Sequence, residues 1–325
     1  MTMTLQITRS RTARPLNLEE IQRMRQTFDQ SHYLKFPQFL EPEILQIVQS
    51  RIRQAKFREN SYEITTGLNA SDQRLMDEAT DGLLSFLVND LELFRLIEEI
   101  TGCPKIGRFT GRVYRMSPNL GHYDSWHGDT FNNRLVAMSI NLSSEVYSGG
   151  LLQMKDVCSG KMVQEVSYTG FGEGVIFRVA PYLQHRVTEV KGSSDRTVFA
   201  GWFRSQPVYR PVFTPPLSRK DSDLFQRKAK VRTESSISKG STVVRADDLF
   251  YRRANGRLLV FNSKNTMCYG LDSVGRMVFN LLDKPIAVQK ILEILVQEFE
   301  IKPGQCEKDL IGFLKELEFH GVIQL

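Results

Sequence analysis

Histidine is scarce in this chain: 325 residues hold five, His32, His122, His127, His185 and His320. A metal site built on imidazole can therefore be drawn in only a few ways. Cysteine is scarcer still. Cys103, Cys158, Cys268 and Cys306 form no CxxC pair and are too few for a disulfide framework, which excludes a zinc ribbon and a disulfide-stapled scaffold and suits a reducing compartment. No apolar run approaches the roughly 20 residues that span a bilayer, and the N-terminal stretch holds no apolar core of signal-peptide length. The expectation is a cytoplasmic protein that enters no membrane. With 41% hydrophobic and 25% charged residues, the chain can bury one large core and a smaller one.

The formal charge of +6 is unevenly placed. Arg210, Arg219, Lys220, Arg227, Lys228, Lys230 and Arg232 face only Asp221 and Asp223 in one stretch, which also approaches or holds Pro207, Pro211, Pro215 and Pro216. It runs into Ser235-Ser236-Ile237-Ser238-Lys239-Gly240. Proline, serine and charge without apolar periodicity read as a solvated basic linker at 206–240, in preference to a nucleic-acid arm.

Before that linker the pattern changes once. Helical spacing covers Ile44, Leu45, Ile47, Val48 and Ile52, with Pro42 in the first turn, and a second helical pattern covers 83–100. A strand is expected at 33–36, stopped by Pro37. After Cys103 come short β-rich runs at 112–115, 135–142, 151–155, 175–179 and 197–203, separated by Gly and Pro. Helices first and many short strands afterwards predict an antiparallel sandwich or barrel buttressed by helices. Beyond Gly240 the pattern resets to three strand-like pieces and three helices, the last ending at Gly321. The organisation expected is an N-terminal extension at 1–29, a mainly β domain at 30–205, the linker, and a small α+β domain at 241–325.

Trp126-His127-Gly128-Asp129 is the richest short motif. Along a strand, side chains at i and i+2 share a face, so His127 and Asp129 can point at one ion while Gly128 leaves the approach clear. His185, beyond the apolar run Val175-Ile176-Phe177, supplies a third ligand from a distant strand. Two histidines and one carboxylate on one face leave open positions on iron, which is what oxygen activation needs. Arg196 then opens the apolar strand Thr197-Val198-Phe199-Ala200-Gly201-Trp202. A guanidinium there needs an anion, and its planar fork suits a carboxylate. His122 and Asp124 have the same spacing and form a rival pair. His127 is preferred because Trp126 precedes it and because the gap from Asp129 to Arg134 suits a short turn. A cupin-like site for another metal stays open at this point, and His32 and His320 have no ligand neighbours.

The order His127-x-Asp129, Arg134 opening the next strand, Gly149-Gly150, His185 and Arg196 resembles the Fe(II)/2-oxoglutarate dioxygenases of the prolyl 4-hydroxylase-like group. That resemblance implies a double-stranded β-helix, or jelly roll, over 30–205. It also implies Fe(II) on His127, Asp129 and His185, with 2-oxoglutarate and O2 as co-substrates. By the same resemblance Arg196 pairs with the distal carboxylate of 2-oxoglutarate, and Tyr114 hydrogen-bonds that co-substrate.

The last part of the chain resembles the PqqD-like family, the small winged-helix domain that recognises precursor peptides in ribosomal peptide biosynthesis. The features that carry this are Asn255-Gly256-Arg257-Leu258-Leu259-Val260, Tyr269-Gly270-Leu271-Asp272 entering a helix at Ser273, and the final helix. The resemblance implies a leader peptide added as a strand near 265–271, between Asn265 and Leu271, with pockets giving choice. Leu310, Phe313 and Leu317 read as core. A winged helix can also bind DNA, but the last helix sets Lys308 and Lys315 against Glu307, Asp309, Glu316 and Glu318, a poor face for phosphates.

The function expected is hydroxylation, or another C–H oxidation, of a residue in a ribosomally made precursor peptide. Two alternatives remain: an oxygenase acting on a free small molecule or a protein side chain, and a non-enzymatic iron or oxygen sensor whose winged helix contacts DNA.

Overall fold

A computed structural model describes residues 5–13, 17–63, 69–166, 170–208, 237–254, 257–299 and 303–325. The chain forms two compact units, Met1–Arg210 and Pro211–Leu325. Most of the expected linker, 209–236, lies outside the described residues.

In the first unit, helix α1 (Leu18–Ser31) starts at a capping box in which Asn17 and Glu20 satisfy each other's backbone N–H groups. Its buried stripe of Ile21, Met24 and Phe28 makes part of the expected extension integral to the fold. Strand β1 (Tyr33–Phe36) follows, then helix α2 (Pro42–Gln54) with proline in its first turn. Next comes a hairpin of β2 (Phe57–Glu63) and β3 (Asn69–Leu75). Sequence periodicity gave no sign of it, because both strands are polar and short of apolar residues.

The single helix expected at 83–100 is two, α3 (Glu78–Val88) and α4 (Leu91–Thr101). Asp90 ends the first and caps the second: its carboxylate accepts from the backbone N–H of Glu92 and Leu93. Asn89 is drawn off the helix axis by bonds to Ser85 O and to both backbone groups of Phe109. The apolar stripe continues across the break, which is why periodicity alone ran the two helices together.

The remaining strands are β4 (Arg108–Met116), β5 (Tyr123–His127), β6 (Arg134–Asn141), β7 (Leu152–Asp156) and β8 (Met162–Val166), then β9 (Gly174–Arg178), β10 (Leu183–Val187) and β11 (Arg196–Arg204). They join β1, β2 and β3 in one antiparallel eleven-stranded sheet, ordered β8-β7-β10-β5-β3-β4-β11-β6-β9-β1 with β2 on the far side of β3. This large sheet curls on itself as a jelly roll, the architecture that the sequence predicted.

Alternation along the two longest strands divides inside from outside. Phe109 and Val113 on β4, with Phe199 and Phe203 on β11, are buried beneath the helices, and Phe94 of α4 meets the Phe203 ring edge-on at 5.9 Å. Asp81 of α3 anchors that face by accepting from the Val113 N–H at 2.9 Å. The opposite residues, Tyr114 and Met116 on β4, with Arg196, Val198, Ala200 and Trp202 on β11, line the interior cavity. Gly201 lets the strands close: a Cβ there would run into Thr110 O and Gly111 Cα.

The second unit has a three-stranded antiparallel sheet of β13 (Leu249–Ala254), β14 (Arg257–Asn262) and β15 (Met267–Leu271). Before it, β12 (Thr242–Arg245) pairs with Ile286–Ala287 and Ile323–Gln324. Helices α5 (Ser273–Leu281), α6 (Val288–Phe299) and α7 (Pro303–Phe319) complete the unit. Their apolar faces meet in a core that includes Val260, Phe279, Ile291, Leu310, Leu314 and Leu317. Asp272 caps α5 by accepting from the Gly275 N–H, and Gly321, at φ +66°, turns the chain at the end of α7 as expected. The last helix begins at Pro303, well before the apolar residues that signalled it.

Candidate metal centre

His127 ends β5 and His185 sits in the middle of β10, directly opposite it across the ladder. Their rings lie 4.2 Å apart between centroids. Pairing across two neighbouring strands thus brings together residues far apart in sequence. Asp129 is not on the strand with His127, as the alternation argument required, but in the turn beyond it. It reaches the same point: its Oδ1 is 3.9 Å from His127 Nε2, and its Oδ2 is 3.5 Å from His185 Nε2.

The Asp129 carboxylate is 3% exposed and held on both oxygens. Oδ1 accepts a short bond from Arg134 Nη1, and Oδ2 accepts from Trp202 Nε1 at 2.5 Å. The Arg134 guanidinium also stacks over the Trp202 ring at 3.5 Å. Partners of this kind fix the orientation of a ligating carboxylate.

A second carboxylate, Asp124, comes near the same imidazoles, and Asp124, His127 and His185 present ligand atoms within 4.8 Å of one another. The two carboxylates meet His127 from opposite sides. Asp124 Oδ1 is 3.5 Å from Nδ1, while Asp129 lies on the Nε2 side. Nδ1 is 2.8 Å from the Ser125 carbonyl, which can only accept, so Nδ1 carries the proton and Nε2 keeps its lone pair. Burial pushes the Asp124 carboxyl up to about 6, with His127 pulling it back down.

The rival pairing of His122 with Asp124 is not assembled. His122 is almost wholly buried, its Nδ1 accepts from the Ser117 N–H at 2.8 Å, and its Nε2 is therefore the donor to Glu59 at 3.1 Å. His185 is buried, and that burial, with His127 adding to it, pushes its imidazole down to about 3. It is neutral at physiological pH, the state in which imidazole binds a metal.

Arg196 enters the same cavity from β11, 6% exposed. Its Nη1 donates to Tyr114 Oη at 3.5 Å and to Met116 Sδ at 3.6 Å, its Nε has no hydrogen-bond partner, and it pairs with no carboxylate among the described residues. Burial alone would lower its pKa, but the Tyr114 and Tyr147 hydroxyls outweigh burial and hold it above the ordinary value. It is a buried cation in a cavity of about 490 Å³ that also contains both imidazoles and both carboxylates.

Tyr147 was missed in the sequence. It lies in a loop, buried beside Arg196, and burial pushes its hydroxyl up to about 12 against the pull of that guanidinium. The only available signal was the Gly149-Gly150 pair just after it. Gly150 has φ +58°, and a Cβ there would sit 2.6 Å from Arg196 Cδ and 3.2 Å from Tyr147 Cε2. The donor set fits the groups expected here: neutral imidazoles with carboxylate for Fe(II), and, for a dicarboxylate, a buried cation that has no carboxylate partner among the described residues.

In the second unit, β15 is an edge strand of its sheet, and Met267 is 38% exposed on it. Asn265 donates to the Tyr269 hydroxyl and to His320 O, and the His320 ring lies 4.7 Å from Tyr269, next to the exposed Phe319.

Comparisons with known proteins divide along the same lines. Residues 111–204 match the family model of the 2OG-Fe(II) oxygenase superfamily, and residues 257–323 match that of Coenzyme PQQ synthesis protein D (PqqD). No curated protein matches the chain. Among solved structures, the chain is similar to a 2OG-Fe(II) oxygenase family oxidoreductase from Burkholderia pseudomallei, at 12% identity and TM-score 0.45, over 63% of this chain and 98% of that one. It is also similar to a Pseudomonas putida prolyl-4-hydroxylase, at 16% identity and TM-score 0.41, over 57% of this chain and 100% of that one. TbiB1 in complex with the TbiA(beta) leader peptide aligns at 20% identity and TM-score 0.24, over 25% of this chain and 94% of that one.

Proposed function

The chain is a 2-oxoglutarate-dependent Fe(II) oxygenase that also carries a PqqD domain, and from that premise we propose that it hydroxylates a residue of a ribosomally made precursor peptide whose leader is held by the second unit. The net reaction converts substrate C–H, 2-oxoglutarate and O2 into substrate C–OH, succinate and carbon dioxide. Fe(II), when bound, supplies the oxygen activation that this exchange requires.

The chain's own residues do the positioning. His127 Nε2, His185 Nε2 and Asp129 hold the metal, with Arg134 and Trp202 keeping the Asp129 carboxylate in place. Asp129 is the ligating carboxylate and Asp124 is not, because only Asp129 lies on the unprotonated side of His127. Arg196 receives the distal carboxylate of 2-oxoglutarate, flanked by Tyr114 and Tyr147. The single observation that carries this reading is Arg196 itself. A buried guanidinium without a carboxylate partner among the described residues, in one cavity with two imidazoles and a braced carboxylate, is costly unless an anion arrives.

The leader adds to the edge of β15, where backbone N–H and C=O groups face outward, with the exposed Met267 and Phe319 beside that edge. This joins an oxidising cavity to a device that recruits its substrate. The test is co-expression of the full chain with a precursor peptide encoded beside its gene, followed by mass spectrometry. Gain of one oxygen, abolished by His127→Ala or Arg196→Ala, is expected. An unmodified peptide, together with no succinate formed from 2-oxoglutarate, would sink the reading and favour a sensor.

A further inference from the structure

The inner face of β4 and β11 continues past Trp202 into a second cleft of about 400 Å³. Arg58 on β2, Arg74 on β3, Arg112 on β4 and Arg204 on β11 all line it. The strand register makes this a concentrated arrangement: Arg58 is directly opposite Arg74, and Arg204 is directly opposite Arg108. Like charges in direct cross-strand opposition destabilise a sheet, and here two such pairs adjoin one cleft.

Local acids offset it only in part: Asp72 and Asp81 both lie within electrostatic reach of Arg112, against four guanidinium groups. Asp81 lines the cleft but its Oδ1 accepts from the Val113 backbone, and Asp72 lies 3.5 Å from Arg74 Nε. Arg58, Arg112 and Arg204 form no ion pair among the described residues, and the buried Nε of Arg204 has no hydrogen-bond partner. Burial, with repulsion from Arg108 adding to it, holds the Arg204 guanidinium below its ordinary value.

The cleft is not separate from the chemistry. Arg74, Arg112 and Trp202 line both the cavity that holds the imidazoles and the cleft, and the Trp202 indole is the group hydrogen-bonded to Asp129. An anion in the cleft therefore lies alongside whatever is presented to the metal. Planar guanidinium forks match carboxylates in two-point contacts.

We propose that this arginine-lined cleft is a substrate subsite for the carboxylate of an aspartate or glutamate neighbouring the residue to be oxidised, so that the preferred peptide is acidic around its modification point. The proposal rests on the reading of the chain as a peptide-modifying oxygenase and names the substrate class of that same site.

Fluorescence anisotropy tests it on the full-length protein, without iron and with excess 2-oxoglutarate to occupy Arg196. The probe is a fluorescein-labelled oligopeptide of alternating glutamate and glycine, with glutamine and lysine counterparts. The glutamate probe is expected to bind about tenfold or more tighter than the glutamine probe, and Arg58→Gln with Arg204→Gln to remove about that factor. Arg58→Gln alone changes an exposed side chain and gives a smaller loss in the same direction if the double variant fails to fold. A Lys230→Gln, Arg232→Gln variant is expected to bind as the parent does.

Equal binding of the glutamate and glutamine probes overturns the proposal. So does loss of binding in the Lys230 and Arg232 variant in place of the cleft variants, or tight binding of inorganic phosphate with no preference for glutamate. Succinate formation from 2-oxoglutarate by the iron-loaded parent is read separately. If that persists while the probes fail to discriminate, only the subsite is lost.

Discussion

Gly150→Ala separates the proposed co-substrate pocket at Arg196 from the proposed metal ligands. At φ +58° an alanine costs about 1–2 kcal/mol of backbone strain. Its Cβ would also stand 2.6 Å from Arg196 Cδ and 3.3 Å from Arg196 Nε. The Arg196 backbone has little room to retreat, because it is paired with Met116 on β4 and, from Val198 onward, β11 is held by β6 as well. The guanidinium must therefore swing away from Tyr114 and Tyr147. Loss of well-placed charge-assisted hydrogen bonds costs about 1.5–3 kcal/mol, which at about 1.4 kcal/mol per decade becomes roughly a ten- to hundredfold rise in the KM for 2-oxoglutarate. His127, Asp129 and His185 are untouched, so metal affinity should stay within about twofold of the parent. The assay is succinate formation against 2-oxoglutarate concentration, alongside Fe(II) titration of both proteins. An unchanged KM, or equal losses of metal and co-substrate affinity, would refute the assignment of Arg196.

Three further outcomes are expected. Trp202→Phe removes the donor to Asp129 Oδ2 but keeps an aromatic face for Arg134, and metal affinity should fall about 10–100-fold in an equilibrium titration; an unchanged affinity would mean Arg134 alone suffices. Asp129→Asn should abolish stoichiometric metal retention after dialysis while Asp124→Asn keeps it, and the reverse result would move the ligand to Asp124. In the second unit, burial pushes the Cys268 thiol up to about 11, so its alkylation at pH 8 should be slower than that of the exposed Cys158 and rise about tenfold per pH unit toward that value. Equal rates, followed by mass spectrometry of the labelled peptides, would show that β15 opens on its own.

The proposed metal ligands could be drawn from sequence because histidine is rare: five candidates left only two pairings to weigh. Arg196 was legible for a different reason, since a cation opening an apolar strand has few innocent explanations. The expected residues do converge on one cavity, but by a geometry that sequence pattern did not foresee. His127 and Asp129 were expected to share a strand face, yet Asp129 returns from the following turn, and nothing local signals that Trp202 waits there to receive it. Tyr147 and the arginine cleft were invisible for a related reason. Tyr147 reaches Arg196 from a loop that no local pattern announces, and the arginine cleft depends on register between strands, with Arg58 and Arg74 in polar strands without apolar alternation. The helix break at Asn89 and Asp90 was hidden likewise, because Asn89 is held by Phe109, a partner outside any local window.

The direct opposition of His127 and His185 has one more effect, on folding. A slip of β10 against β5 by a single residue would turn one imidazole away from the cavity, and the β-bulge just after His185 leaves this ladder less constrained than a regular one. A metal held by both imidazoles, as proposed, would favour that alignment by about 2.7 kcal/mol at a free concentration one hundred times its dissociation constant. On the proposed ligand set, the metal would thus act as a proofreader: a chain that holds it would already have passed an inspection of its strand register.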